Sequence, residues 1–301
     1  MTTRILVPPG IGDIYWTLVK LKAIQERYGF TNPELTIVTY PDEHGIYLRS
    51  IPYLEMFDSF TIATPPTVPN AAGLQHIWDE AYSQKGKSIF ENVMGYDYFI
   101  AYNGRVNSGG WIENDDFACE WRPKMSDDTE HLIKCSADMW RSDGSYAVMF
   151  WPFYGSYESH LSQFPMTSIV KVLNKFIRKY DVIPILVGAD WFNTVNPLSA
   201  NFMNQLENGA INAIGRIPDL RNLFGLLHAA KIVLGYHSGI TNMAAMFGTK
   251  TLLLWDDYFP ESTSYACVPP DVRGTTYRAV RTKNLTADVY FEMMCSFYES
   301  A

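Results

Sequence analysis

The sequence predicts an α/β protein made of two successive domains, on three observations. Short apolar runs of strand length lead repeatedly into turns and then into segments whose apolar side chains recur at helical spacing. That rhythm occurs twice, on either side of a polar stretch between Gly104 and Asp138 where periodicity fades. Finally, 301 residues with 47% hydrophobic content suffice for each half to bury a core of its own.

The first rhythm opens at Arg4 to Pro8, an apolar strand, followed by a turn at Pro9 to Asp13 and a helix over Ile14 to Tyr28, where Leu18, Leu21, Ile24 and Tyr28 share a face. Strand, glycine-bearing turn and helix make half of a βαβ unit. Glu34 to Tyr40 reads as the next strand, Gly45 to Ser50 as a short helix, Phe57 to Ala63 as an extended segment and Tyr98 to Tyr102 as a further strand. Glu113, Asp115, Asp116, Glu120, Asp127, Asp128 and Glu130 then crowd around Trp111 and Trp121, which reads as an acidic excursion between domains.

The second rhythm runs through a strand at Tyr146 to Trp151, a helix at Thr167 to Tyr180 and a strand at Val182 to Val187 that stops at Gly188. A helix at Leu220 to Ala230, a strand at Lys231 to Gly235, a helix at Thr241 to Phe247 and a strand at Thr251 to Trp255 follow, and a last helix spans about Ala287 to Tyr298. The expected domains are therefore 1–145 and 146–285, with a C-terminal segment, 286–301, packing back toward the first domain.

Composition narrows the function. The longest apolar runs fall far short of the roughly 20 residues needed to cross a bilayer. The opening Met1-Thr2-Thr3-Arg4 leads into too short an apolar stretch for a secretory leader, so a cytoplasmic protein without a transmembrane segment is expected. Cys119, Cys135, Cys267 and Cys295 are widely separated and form no C-x-x-C pair of the zinc or redox kind. A net charge of -8 disfavours a broad phosphate-binding surface.

Three turns could carry chemistry. Gly10-Ile11-Gly12-Asp13 lies between a strand and a helix, where backbone can approach a ligand closely and amides can face an anion. Tyr15 stands where a dinucleotide fingerprint needs its third glycine, so NAD is not expected there. Asp13 has an ordinary reading too, as a carboxylate favouring the helix N-terminus. Ala81 to Ser88 imitates a relaxed phosphate loop, but the stretch before it is polar and helix-like instead of a buried strand. His237-Ser238-Gly239 ends a strand and opens a helix, so Ser238, Gly239 and Ile240 would present free amides suited to a pyrophosphate. His237 is either a cap position with a satisfied ring or a ligand contact.

Gly215 to Trp255 resembles the C-terminal signature of the heptosyltransferase-type glycosyltransferases, glycosyltransferase family 9, and Gly10 to Tyr28 resembles their N-terminal G-x-G-D helix. Ile183 to Asp190 is similar to the strand and glycine turn between them. The resemblance implies the GT-B fold, two facing Rossmann-like domains, with a nucleotide-sugar donor in the second and an acceptor in the first. It implies an inverting transfer that needs neither metal nor a further cofactor. Asp13 would be the catalytic base, beside the glycine turn of Gly10 and Gly12. The amides of Ser238 and Gly239 would clamp the diphosphate, Asp190 beyond Gly188 would approach the ribose, Arg216 and Ile217 the base, and Pro152 to Gly155 the diphosphate. His237 replaces the family's usual Asp and Asn242 its usual His, so a donor other than ADP-heptose is compatible with the sequence. On this reading the Asp115-Asp116, Asp127-Asp128 and Asp256-Asp257 pairs are solvated loops, not metal sites. The acceptor would be a saccharide of the lipopolysaccharide type. Alternatives are a hydroxylated base in DNA, as in phage genome glycosylation, and a non-catalytic nucleotide-sugar binding module.

Overall fold

A computed structural model describes residues 3–7, 11–29, 33–37, 53, 55–56, 61–62, 98–100, 111–112, 124–150, 164–188, 204–207, 209–217, 219–236, 238–255 and 268–300. The chain divides into two compact units, Met1–Asp127 and Asp128–Ala301. The division falls ahead of the 145/146 boundary expected from the sequence, and one helix explains why.

That helix, α2, spans Asp127–Asp143, where the sequence reads as a polar excursion and Asp127-Asp128 as a loop. Thr129, Ile133 and Ala137 are its buried residues, one every four positions, and form a stripe too narrow and too weakly apolar to announce itself. Asp127, Asp128 and Glu130 sit in or near its first turn, where negative charge is favoured by the helix dipole. The helix belongs to the second unit because its polar side chains are spent there. Ser136 Oγ and Trp140 Nε1 both donate to Asn222 Oδ1 at 2.9 Å, and an Arg141 guanidinium nitrogen donates to the His228 carbonyl at 3.1 Å.

In the first unit, β1 (Thr3–Val7), α1 (Ile11–Tyr28), β2 (Pro33–Ile37), β3 (Thr61–Ile62), β4 (Tyr98–Ile100) and β5 (Trp111–Ile112) give a five-stranded sheet in the order β3-β2-β1-β4-β5. All pairings are parallel, with Ile5 opposite Leu35 on one side and Tyr98 on the other. α1 covers this sheet through Ile14, Leu18 and Leu21 together with Tyr15 and Val19, all sealed from solvent. The expected helix at Gly45 to Ser50 lies outside the described residues.

The second unit contains β6 (Tyr146–Phe150), α3 (Met166–Tyr180), β7 (Ile183–Val187), β8 (Ile211–Asn212), α4 (Leu220–Ala229), β9 (Ile232–Tyr236), α5 (Gly239–Met246), β10 (Thr251–Trp255), β11 (Tyr277–Arg281) and α6 (Ala287–Glu299). Its six strands lie in the order β11-β10-β9-β6-β7-β8, again all parallel. Numbered within their own units, both sheets follow the order 3-2-1-4-5, extended by a sixth strand in the second, which is the doubly wound arrangement. β9 and β10 are buried along their whole length, as expected of strands covered on both faces.

One face of the second sheet carries α3 and α6. Leu173, Phe176 and Ile177 of α3 and Tyr290, Met294 and Phe297 of α6 join Leu186, Leu234 and Leu254 of the strands in one core. α6, expected to return toward the first domain, is packed on α3 of its own unit. Tyr298 sits edge-on to Phe176 with ring centroids 5.1 Å apart, and Lys179 pairs with Glu299 at 2.8 Å. Lys250 donates to the Tyr298 and Ser300 carbonyls, neutralising the carbonyl end of α6. Among the described residues no helix is long and apolar enough to cross a membrane.

Candidate functional site

In a parallel sheet every strand ends at the same edge, and ligands seat beyond that edge where neighbouring strands send their connections in opposite directions. In the second unit that place is the gap between β6 and β9, which pair directly with Val148 opposite Val233. Out of β9 the chain passes through residue 237, outside the described residues, into Ser238 and α5.

Ser238 is the N-cap of α5, with extended backbone at φ -161 and ψ 165. Its hydroxyl accepts from the Thr241 amide at 3.2 Å, while Thr241 Oγ1 accepts from the Ser238 amide at 3.0 Å. This is a reciprocal capping box with Thr in the place usually taken by Glu or Gln. The helix ladder begins at the Asn242 amide, which donates to the Ser238 carbonyl at 3.1 Å. Two of the first amides are thereby consumed, and those of Gly239 and Ile240 are left with no partner among the described residues. The sequence reading offered Ser238 and Gly239 as the clamp. The Ser238 amide is occupied by the cap, which leaves Gly239 and Ile240 of the three amides that the sequence offered. The Asn242 side chain, one turn into the helix, is 1% exposed, and its Oδ1 has no hydrogen-bond partner among the described residues.

A second cluster of sequence-assigned residues comes together at the adjoining strands. The Gly215 amide donates to the Gly188 carbonyl at 3.0 Å and the Arg216 amide to the Ala213 carbonyl at 3.1 Å, tying the turn after β8 to the end of β7. Gly215 has φ 66, a conformation that favours glycine, and Arg216 and Ile217 follow it beyond the end of β8. Arg216 is exposed and Ile217 half-buried. Asp190 and the segment Pro152 to Gly155 lie outside the described residues.

In the first unit the corresponding gap lies between β1 and β4. α1 begins at Ile11, earlier than the expected Ile14, so Gly12 and Asp13 belong to its first turn instead of to the preceding loop. The placing of the Asp13 carboxylate and of Gly10 lies outside the described residues, as do His237, Asp115-Asp116, Asp256-Asp257 and the Ala81 to Ser88 stretch.

Two all-parallel sheets of doubly wound order, each with a helix opening at its switch point, define the class: the GT-B fold. No family model matches the chain and no curated protein matches it in sequence. Solved structures match it over nearly its whole length. E. coli ADP-heptose lps heptosyltransferase II is 14% identical with a TM-score of 0.64, over 99% of this chain and 98% of that one. E. coli heptosyltransferase WaaC with ADP is 11% identical with a TM-score of 0.57, over 99% of this chain and 100% of that one. S. aureus MnaA, solved with UDP, is 11% identical with a TM-score of 0.55, over 99% of this chain and 88% of that one. At these identities the likeness is one of fold.

Proposed function

We propose that this chain is a metal-independent, inverting glycosyltransferase that moves a sugar from a nucleotide-sugar held by the second unit to a saccharide hydroxyl presented at the first, in the cytoplasm. The observation that carries the reading is the opening of α5 at the switch point, with the Gly239 and Ile240 amides without a partner among the described residues and the Ser238 amide already spent on the cap. Amides at a helix N-terminus stabilise the negative charge that gathers on a departing nucleoside diphosphate. The same fold in the neighbouring structures was solved with ADP in one case and UDP in another, which fits a second unit that holds a nucleotide diphosphate.

In the proposed reaction Asp13 takes the proton of the acceptor hydroxyl, the oxygen attacks the anomeric carbon from the face opposite the leaving group, and the nucleoside diphosphate departs toward α5. No divalent ion is needed where helix amides meet the leaving-group charge. The net charge of -8 disfavours a polyanionic acceptor and supports a saccharide over DNA.

Asp13→Asn tests the assignment. The substitution keeps size and hydrogen-bonding capacity, so melting temperature and nucleotide-sugar affinity should stay near wild type while turnover falls by ~10²–10⁴. Near-normal transfer by the folded variant would remove Asp13 as the base. A fall in melting temperature with turnover unchanged would make it a helix-stabilising carboxylate.

A further inference from the structure

Thr241 stands in the first turn of α5 and is sealed from solvent. Its hydroxyl is the meeting point of four polar contacts. Oγ1 accepts from the Ser238 amide at 3.0 Å and lies 3.2 Å from Ser238 Oγ. It donates toward two carbonyls, that of Ser238 at 2.9 Å and that of Tyr236 at 3.3 Å. A hydroxyl has one proton and two lone pairs. With the proton on a carbonyl, both lone pairs are taken by Ser238, one by its amide and one by its hydroxyl.

The contact to Tyr236 is the unusual one. A threonine within a helix commonly reaches a carbonyl three or four residues back, and Ser238 is three back. Tyr236 is five back, outside the helix, and is the last residue of β9. One side chain therefore ties the end of the strand to the cap of the helix, across residue 237. Glutamate, a usual third residue of a capping box, could not do this. It accepts but does not donate, and it would set a negative charge beside the helix opening. The first turn of α5 has no acidic residue.

We infer that Thr241 is a positioning residue for the nucleotide: by joining the Ser238 cap to the end of β9, it holds the Gly239 and Ile240 amides in one orientation for the diphosphate. The inference rests on the reading of the second unit as the nucleotide-sugar half. Hydrogen bonds are directional, and donors already held in place lose less freedom when a ligand arrives. Without the hydroxyl, the Ser238 amide and the Tyr236 carbonyl lose this partner, and ordering the turn then subtracts from binding.

The test is titration calorimetry of the full chain with ADP, UDP, GDP and dTDP, and with adenosine and uridine, beside melting curves without nucleotide. Thr241→Val removes the hydroxyl and keeps the branched shape, whereas Thr241→Ser keeps the hydroxyl and loses a buried methyl group. Both should melt below wild type, one through unpaired polar groups and the other through a small cavity. Diphosphate affinity should separate them. Thr241→Val should bind the preferred diphosphate about tenfold more weakly, as for one weakened bond to a charged group, and Thr241→Ser within about twofold of wild type. Both should bind the free nucleosides as wild type does. Unchanged diphosphate affinity in folded Thr241→Val overturns the inference, and so does an equal loss in the two variants or a matching fall in nucleoside affinity. Should Thr241→Val not fold, Thr241→Ala against Thr241→Ser repeats the comparison, and failure of both hydroxyl-free variants to fold makes Thr241 structural and overturns the inference. Gly239→Val separates the two levels of argument. If it abolishes diphosphate binding while Thr241→Val does not weaken it, the inference falls and the nucleotide site stands. If the wild type binds none of the four diphosphates, the nucleotide reading falls and takes the inference with it.

Discussion

His228, in the last turn of α4, shows what a single side chain contributes outside the site. Its ring is half-buried beside Phe247, with centroids 5.6 Å apart, and burial, followed by the Arg141 cation, pushes its pKa below the ordinary 6.5. The unfolded chain therefore takes up a proton at a higher pH than the folded one, and protonation favours unfolding. Stability contributed by neutral His228 is present above about pH 6.5 and is lost as pH falls through the lower folded value. We expect His228→Phe to flatten this acid slope in melting temperature between pH 7 and 5. An unchanged slope would assign the acid sensitivity to other groups. The site residues divide by the range of the signal that encodes them. The turns at Gly188 and Gly215 and the strand-to-helix connection at Ser238 and Gly239 were legible because turns are written in adjacent residues, although the N-cap that the sequence offered to His237 falls on Ser238. The loss of the Ser238 amide to the cap was not legible, because it follows from Thr241 completing the cap.

At Gly225, α4 lies close against α2. A Cβ built there would lie 2.5 Å from Ser136 Cβ and 3.0 Å from the Ala137 backbone nitrogen. Gly225→Ala gains about 1 kcal/mol of helix propensity. Overpacking a close contact costs about 1–3 kcal/mol, and because one obstacle is backbone, rotating Ser136 cannot relieve it. A net loss of stability is the expected outcome in urea unfolding, with partial recovery when Ser136→Gly is added. A variant at least as stable as wild type would show that the two helices slide apart freely. Longer elements of strong period, α3, α4, β9 and β10, were readable in the sequence almost to their ends. α2 was not, because its buried stripe uses Thr and Ala where periodicity needs larger apolar groups. β8 has two residues and carries no period at all, and β11 dilutes its apolar positions with Arg278 and Arg281.

At the scale of the whole molecule, the second unit holds a complete six-stranded sheet, a core covered by α3 and α6, and the helix α2 that the sequence assigned elsewhere. Residues 128–301 expressed alone should therefore unfold cooperatively and retain nucleoside diphosphate binding, as read by calorimetry. A fragment starting at 146 removes the Ser136, Trp140 and Arg141 contacts to α4 and should melt lower. If both fragments behave alike, α2 is dispensable to the unit. The strand order has a consequence for how the chain is made. β6 sits at the centre of its sheet, yet Ala147 finds its partner Ile232 only after α3, β7, β8 and α4 have intervened. During synthesis β6 and β7 can pair early, but one edge of β6 stays open until β9 has left the ribosome, exposing unpaired apolar backbone at the stage when aggregation competes with folding. Closing so distant a contact is slow, so the moment β9 emerges sets the timetable for assembly of the second unit.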